Sequence, residues 1–292
     1  MRHRLPVFLV LAAVLGHLPA HAASSLTPEQ QAVHVLNRLA YGPKPGDIER
    51  VTQMGVQRYI ESQLNPAALA YPAELTERLK GLDTLNSSAG ELAGQYSELR
   101  KEVKNEDEGA KQRRRAAFAK VTFEAADARV IRAIDSPRQL EEVMVDFWFN
   151  HFNVFSGKGV DRALITSYER DAIRPYVLGN FRDMLGATAK HPAMLYYLDN
   201  FLSVAPNYQP SGRARLAAMQ APNAPKAKSR GLNENYAREV MELHTLGVDN
   251  GYTQRDVTEL ARMLTGWTYN NRELVARNRT FVFDPARHDR DD

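Results

Sequence analysis

The residues best equipped for chemistry lie between Gly231 and Val257, in GLNENYAREVMELHTLGVDNGYTQRDV. This stretch brings two carboxylates (Glu239, Glu242), an imidazole (His244), a guanidinium (Arg238) and the amides of Asn233 and Asn235 close together in sequence. A carboxylate can act as a general base, and histidine with carboxylate can hold a divalent metal that activates water. On a helical wheel of roughly 100° per residue, Asn235, Arg238, Glu239, Glu242 and Thr245 share one side. Tyr236, Ala237, Val240, Met241 and Leu243 share the other, and His244 falls among them. His244 and the two glutamates therefore do not form a one-helix metal motif of the H-E-x-x-H kind, whose ligands project together. Two arrangements fit. In one, the charged side is a solvated, ion-paired face and His244 is a core histidine bonded to a backbone carbonyl. In the other, one side of the helix points into a polar cleft between helices.

A second stretch, EEVMVDFWFNHFNVF, sets Glu142, Asp146, Asn150 and Asn153 along one stripe, and Val143, Phe147, His151 and Val154 along the next. Phe147, Trp148, Phe149, Phe152 and Phe155 cover much of the remainder. A helix this apolar should be buried, so its polar stripe needs partners. Either a buried hydrogen-bond network or a cleft lined by Asp146, Asn150 and His151 satisfies that need. His191 before Pro192, and His288 before Asp289, are further ligand candidates. Neutral histidine with carboxylate suits zinc, iron or manganese.

The elements that must position these residues read as helices. Thr27 is an N-cap with Pro28 at the first helical position, opening a helix that Gly42-Pro43 breaks. A second helix follows from about Pro45 to Gly55, and a third from Val56 to Leu64, stopping at Asn65-Pro66. Residues 88–134 are rich in charge and alanine and predict one long helix, or two divided near Gly109. Ser136 is the expected N-cap, and Pro137 the first residue, of the helix that carries the aromatic stretch. Further helices are expected over 162–178 and within NFRDMLGATAKHPAMLYYLDN. The segment 203–230 is rich in proline and lysine, lacks apolar periodicity and predicts a long mobile loop. The helix after it should begin near Asn233 and end at Gly247 as a left-handed cap. Thr253 with Asp256 three residues on predicts a capping box for the next helix, which should stop near Gly266. Only RTFVFDP, near 280–284, looks like a strand. The fold class is all-α, a multi-helix domain with at most that minor strand.

Composition bounds the partners and the compartment. The chain has 292 residues, 43% apolar and 25% charged, which suits a folded domain with a sizeable core. Arg2 and Arg4 precede an apolar run from Leu5 to Leu18, and Ala20-His21-Ala22 follows as a cleavage site, so residues 1–22 predict a signal peptide cut near Ala22. Removing them takes away two arginines and no acid, and the net charge of +3 falls to +1. That near-neutral balance and the expected export both argue against a nucleic-acid partner. No later stretch is apolar enough to span a bilayer. The chain has no cysteine, hence neither disulfides nor thiolate metal sites. The expected organisation is a signal peptide over 1–22 and a single mainly helical domain over 23–292.

Five segments together resemble one family: VLNRLAYGPKPGDIERV (35–51), MVDFWFNHFNV (144–154), HPAMLYYLDN (191–200), RGLNENYAREVMELHTLGVDNGYTQRDVTELARMLTGWT (230–268) and FVFDPARHD (281–289). They are similar to the bacterial exported family catalogued as domain of unknown function eighteen hundred. That resemblance covers nearly all of the mature chain and implies export, to the periplasm or beyond. It implies no reaction. Members of the family continue well past the HD element, so this chain, ending at Asp292, is expected to be cut short at its C-terminus. The positions that match the family's motifs include Asp146, Asn150, His151, His191, Asp199, Asn233, Asn235, Arg238, Glu239, Glu242, His244, Asp256, His288 and Asp289. Two functions are expected from them. One is an envelope-associated binding or accessory protein, partnered by another envelope protein, whose polar motifs are structural. The other is a metal-assisted hydrolase. There Glu239 or Asp146 is the base, His151, His191, His244 and His288 supply metal ligands, and Asn150, Asn235, Arg238, Glu242 and Asp199 bind substrate. The second requires these side chains to converge; the first has each satisfied where it stands.

Overall fold

The computed structural model describes residues 26–101, 108–209 and 231–290. The expected signal peptide and residues 210–230 of the expected loop lie outside the described residues.

α1 (Pro28–Leu39) begins where Thr27 and Pro28 predict. The Thr27 hydroxyl accepts the Gln30 N–H and the Gln30 side chain accepts the Thr27 N–H, a reciprocal cap that satisfies two otherwise orphaned donors. α2 (Asp47–Met54) and α3 (Val56–Leu64) meet at Gly55. One residue reverses the chain there because glycine tolerates its φ of 88°. The three helices bury Ala32, Val35, Leu36, Val51 and Tyr59 between them. Gln63 ties this unit to the rest: its amide donates to the Pro137 carbonyl (3.0 Å) and accepts the Leu140 N–H (3.1 Å).

The larger body contains α4 (Ala73–Lys80), α5 (Asp83–Asn86), α6 (Ala89–Lys101), α7 (Glu108–Asp135), α8 (Gln139–His151), α9 (Asp161–Tyr168), α10 (Phe181–Lys190), α11 (Pro192–Tyr197), α12 (Glu234–Glu239), α13 (Gln254–Met263) and α14 (Asn271–Arg277). α9 is the centre. Seven of its residues, Asp161 and Ala163 through Tyr168, are buried, as expected of a helix with neighbours all round. α5, α6, α7 and α11 pack on it, and α8 and α10 pack on the π turn Glu169–Ile173 that prolongs it. The Tyr168 hydroxyl donates to the Phe152 carbonyl at 2.8 Å, joining α9 to the end of α8. A two-residue antiparallel pairing, β1 (Trp267–Thr268) with β2 (Val282–Phe283), is the sheet among the described residues. The fold is all-α, as expected, and none of its described helices is long and apolar enough to cross a membrane.

α6 and α14 approach so closely that glycine is required at position 90. A Cβ there would sit 2.2 Å from the Leu274 carbonyl oxygen, while the Gly90 N–H donates to the Asn278 side chain at 2.9 Å. Gly90→Ala should therefore destabilise the chain by about 2–3 kcal/mol through overpacking against backbone. The check is the urea midpoint, and a change below about 0.5 kcal/mol, the size of an ordinary surface effect, would refute this packing.

Several elements differ from expectation, each for a physical reason. Ser136 does not cap α8: its hydroxyl accepts the Arg138 N–H in a separate turn and the helix starts at Gln139. α8 ends at His151, so Asn153 leaves the predicted stripe. The charged stretch forms two helices, as one of the two expectations had it: α6 ends at Lys101 and α7 begins at Glu108, beside Gly109, with residues 102–107 outside the described residues. Residues Ser203, Val204 and Ala205 are buried, not loop-like. Ala205 N–H donates to the Arg287 carbonyl (2.8 Å), a contact across the chain that no local pattern reveals. The β1 strand is too short to leave a period.

Candidate functional site

The structure brings His151 and His244 together. α12 runs into a π turn over Val240–Thr245, which admits one extra residue per turn. The position one heptad after buried Tyr236 would be Leu243 on a regular helix; with the extra residue it is His244. Leu243 is accordingly exposed and His244 buried. His151 Nε2 donates to the His244 carbonyl at 3.0 Å, and the two rings stand 6.2 Å apart among Trp148, Phe152 and Phe181. His244 Nδ1 is buried with no hydrogen-bond partner. Burial, helped by the nearby His151, pushes the His244 imidazole down to about 4.

The other two histidines stand apart from this pair. His191 caps α11: its Nδ1 accepts the Ala193 N–H at 3.2 Å, and its ring meets Tyr168 edge-on. Burial pushes it down to about 3, with Asp171 opposing and Arg170 assisting. His288 Nδ1 donates to the Thr265 carbonyl at 2.9 Å, and the ring packs on Phe283. Among the described residues no three His, Asp or Glu side chains are grouped to hold a metal ion.

These buried imidazoles make the fold acid-sensitive. His191 and His244 stay neutral in the folded chain but take a proton when unfolded, so stability is whole above about pH 6.5 and is lost as pH falls toward their folded values. By pH 4.5 each should cost roughly 2–3 kcal/mol. His244→Asn should lose correspondingly less than the unsubstituted chain between pH 7 and 4.5 in urea unfolding; equal losses would contradict a buried neutral His244.

The amides expected at a site are exposed, and the carboxylates Asp146, Glu239 and Glu242 are half-buried on their helices. Asn150 is exposed and its side-chain amide donates to the Asp146 carbonyl of its own helix. Arg238 pairs with Glu234 (3.7 Å) and Glu242 (3.5 Å) and donates to Gln254 at 2.7 Å. Glu239 is raised by partial burial and by Glu242, with Arg238 opposing. Asn235 is exposed, and its N–H donates to the Asn233 side chain that caps α12.

Asp199 belongs to a different and more unusual arrangement. After α8 the chain turns through Gly157-Lys158-Gly159, with Gly159 at φ 47°. A Cβ at Gly159 would lie 2.1 Å from the Tyr196 hydroxyl oxygen, so the turn closes directly on that ring. Lys158 Nζ then donates to the Tyr197 carbonyl (2.5 Å) and to Asp199 (3.0 Å). Asp199 itself has φ 58°, a left-handed conformation that aspartate tolerates better than most residues but that still marks a constrained site. Two residues past Gly159, Asp161 opens α9 at 0% exposure, and neither carboxylate oxygen has a hydrogen-bond partner. Burial pushes its carboxyl up to about 8; Lys158 opposes that rise and Asp199 adds to it.

A cleft of about 400 Å³ lies next to this turn, which contributes Val160 to its lining; Tyr96, Tyr196, Tyr269, Arg100, Lys101 and Asn271 also line it. Asp161 is close enough to act electrostatically on the hydroxyls of both Tyr196 and Tyr269, whose pKa values are raised chiefly by burial. The ring of Phe201 stacks on Tyr196 at 5.4 Å and meets Tyr269 at 5.5 Å, fixing both. A neutral carboxyl and two phenols can each donate and accept hydrogen bonds. Ring faces offer flat apolar contact, and Arg100 offers a cation at the rim. Of this set only Asp199 stood out in the sequence. Asp161 looks like an ordinary acid in the first turn of a helix, and the signal that could have exposed it is its place at the head of the uniformly buried run ALITSY.

The chain belongs to the family described as Protein of unknown function (DUF1800), whose model matches residues 34–292. Neither a curated protein nor a solved structure matches it.

Proposed function

We propose that this family member is an exported, envelope-associated binding protein that holds an acidic saccharide in the tyrosine cleft above Asp161. Export rests on the basic, then apolar, then small-residue pattern of residues 1–22. One observation carries the binding role: a fully buried carboxyl with both oxygens unpartnered, set beside a cleft with tyrosines in its wall. Buried polar groups without partners are rare and costly in folded proteins, and Asp161 acts on the cleft through the hydroxyls of Tyr196 and Tyr269, which line it. Aromatic faces with a few convergent polar groups are the usual make-up of a small-molecule site. Arg100 selects for an acidic substituent by a charge-assisted bond. Retention of the full chain on an immobilised uronic-acid polysaccharide should be lost in Tyr96→Ala and weakened at least tenfold in Asp161→Asn. Unchanged retention in both would remove the cleft from consideration.

A second function has one observation in its favour. A carboxyl held protonated near neutral pH is the form required of a general acid, so Asp161 could also protonate a leaving group. Release of shorter saccharides from the polysaccharide, abolished by Asp161→Asn, would mark an enzyme; binding without cleavage marks the binding protein. The metal-assisted alternative would need His151 and His244 to recruit a third ligand beyond those grouped among the described residues.

A further inference from the structure

The junction between the N-terminal unit and the body holds a buried charge network with one cation too many. Glu142 accepts from Tyr71 (3.1 Å) and Arg174 (2.9 Å); Glu169 accepts from Arg174 (3.0 Å) and Arg129 (2.7 Å). Arg138 lies beside Glu141 at 3.8 Å and donates to the Leu69 carbonyl. Arg132 is the remainder. Its Nε is buried and bonds nothing, and its nearest carboxylate oxygen, on Glu169, is 3.8 Å from Nη1, beyond hydrogen-bond length. Arg129, Arg132, Arg138 and Arg174 thus stand against Glu141, Glu142 and Glu169, one positive charge in excess.

Arg132 lines a partly open cavity of about 140 Å³, as do Arg170, Arg174, Asn86, Thr166 and Glu169. Most of those groups are already committed. Arg170 donates to the Leu85 and Ser87 carbonyls and to Asp171; Asn86 donates to Lys80 and Leu82; Thr166 donates to Thr84. Glu169 is shared between two arginines. The lining therefore presents one guanidinium whose Nε has no partner, while Arg170 and Arg174 are matched by Asp171, Glu142 and Glu169. The space matches a single small anion, since one water takes roughly 30 Å³.

We propose that this cavity is a binding site for one small oxyanion of the phosphate or sulfate kind, seated on the Arg132 guanidinium. It is independent of the tyrosine cleft and does not rest on the saccharide function. An anion there would give Arg132 the bidentate partner it lacks, and would bridge α7 to the turn after α9.

The test is thermal unfolding of the full chain in chloride buffer at fixed ionic strength, with inorganic phosphate and sulfate added in turn. The midpoint should rise with dose and saturate, by roughly 5–10 °C at a hundredfold excess over the dissociation constant. Arg132→Gln should abolish the saturating rise. Arg132→Lys, which keeps the charge but loses the planar fork, should weaken it at least tenfold. Equilibrium dialysis of the unsubstituted chain with labelled phosphate should give one site, so the proposal survives a failure of either variant to fold. No rise, an equal rise in Arg132→Gln, or no bound phosphate would each overturn it; an equal rise would show general salting of the fold.

Discussion

Asp161→Asn should flatten a pH dependence that the unsubstituted chain shows. The carboxyl is fully buried. Burial first, with Asp199 adding and Lys158 opposing, raises it from an ordinary aspartate value to about 8. The folded chain therefore keeps a proton that the unfolded chain releases above about pH 4. Stability from this group is whole below that value and is lost as pH rises toward 8, at about 1.4 kcal/mol per unit. Between pH 5 and 7.5 the difference in unfolding free energy between Asp161→Asn and the unsubstituted chain should grow by roughly 3 kcal/mol in favour of the amide. Comparing the two chains is essential, because His191 and His244 slope the other way in acid. A difference that stays constant across this range would mean the carboxyl is solvated and ionised, and the site as described would not exist.

Arg174→Met should be the most damaging single change at the junction. Among the described residues Arg174 is the one group that bonds both Glu142 (2.9 Å) and Glu169 (3.0 Å), two buried carboxylates on α8 and on the turn after α9. Burial works to raise Glu169, but Arg129 and Arg174 more than cancel this and hold it below the ordinary glutamate value. Removing Arg174 leaves buried charge without its partner, a loss of about 3–5 kcal/mol. A depressed glutamate contributes stability above its unfolded value and loses it as pH falls through the folded one. The deficit of Arg174→Met should thus be largest near pH 7 and shrink toward pH 4, where the stranded carboxylates take protons. Arg174→Lys should recover only part, because a point charge cannot fork between two carboxylates. A loss below about 1 kcal/mol at pH 7, the size of an exposed ion pair, would contradict the network.

What the sequence disclosed and what it hid divide along one line, that of locality. Thr27-Pro28, the Val56–Leu64 helix and the Thr253–Asp256 cap were legible because a cap or a glycine break acts within a few residues. The all-α class followed from the same signals. The burial of His244 was also legible, since its apolar neighbours recur at helical spacing. Leu243 was misplaced because the π turn shifts the helix by one residue, and a π turn is selected by packing rather than local preference. Ser203–Ala205 looked like loop because what buries them is Arg287 and Gly266, far along the chain. The candidate site suffers most from this. Asp161 is ordinary in its local context, and only the Gly159–Tyr196 approach and the Lys158–Asp199 pair make it unusual. Conversely, Arg238, Glu239 and Glu242 drew notice by type and spacing, yet they meet one another and Gln254 on the surface.

On the proposed function, the tyrosine cleft binds an acidic saccharide through phenols that Asp161 tunes. Calorimetric titration of the full chain with a uronic-acid oligosaccharide, beside its neutral counterpart, tests it most directly. Saturable one-site binding of the acidic form is expected, with at least tenfold weaker binding of the neutral form and proton exchange with buffer at pH 8 that disappears in Asp161→Asn. Saturable binding that is indifferent to Asp161→Asn and Tyr96→Ala, or no heat from either saccharide, would contradict it.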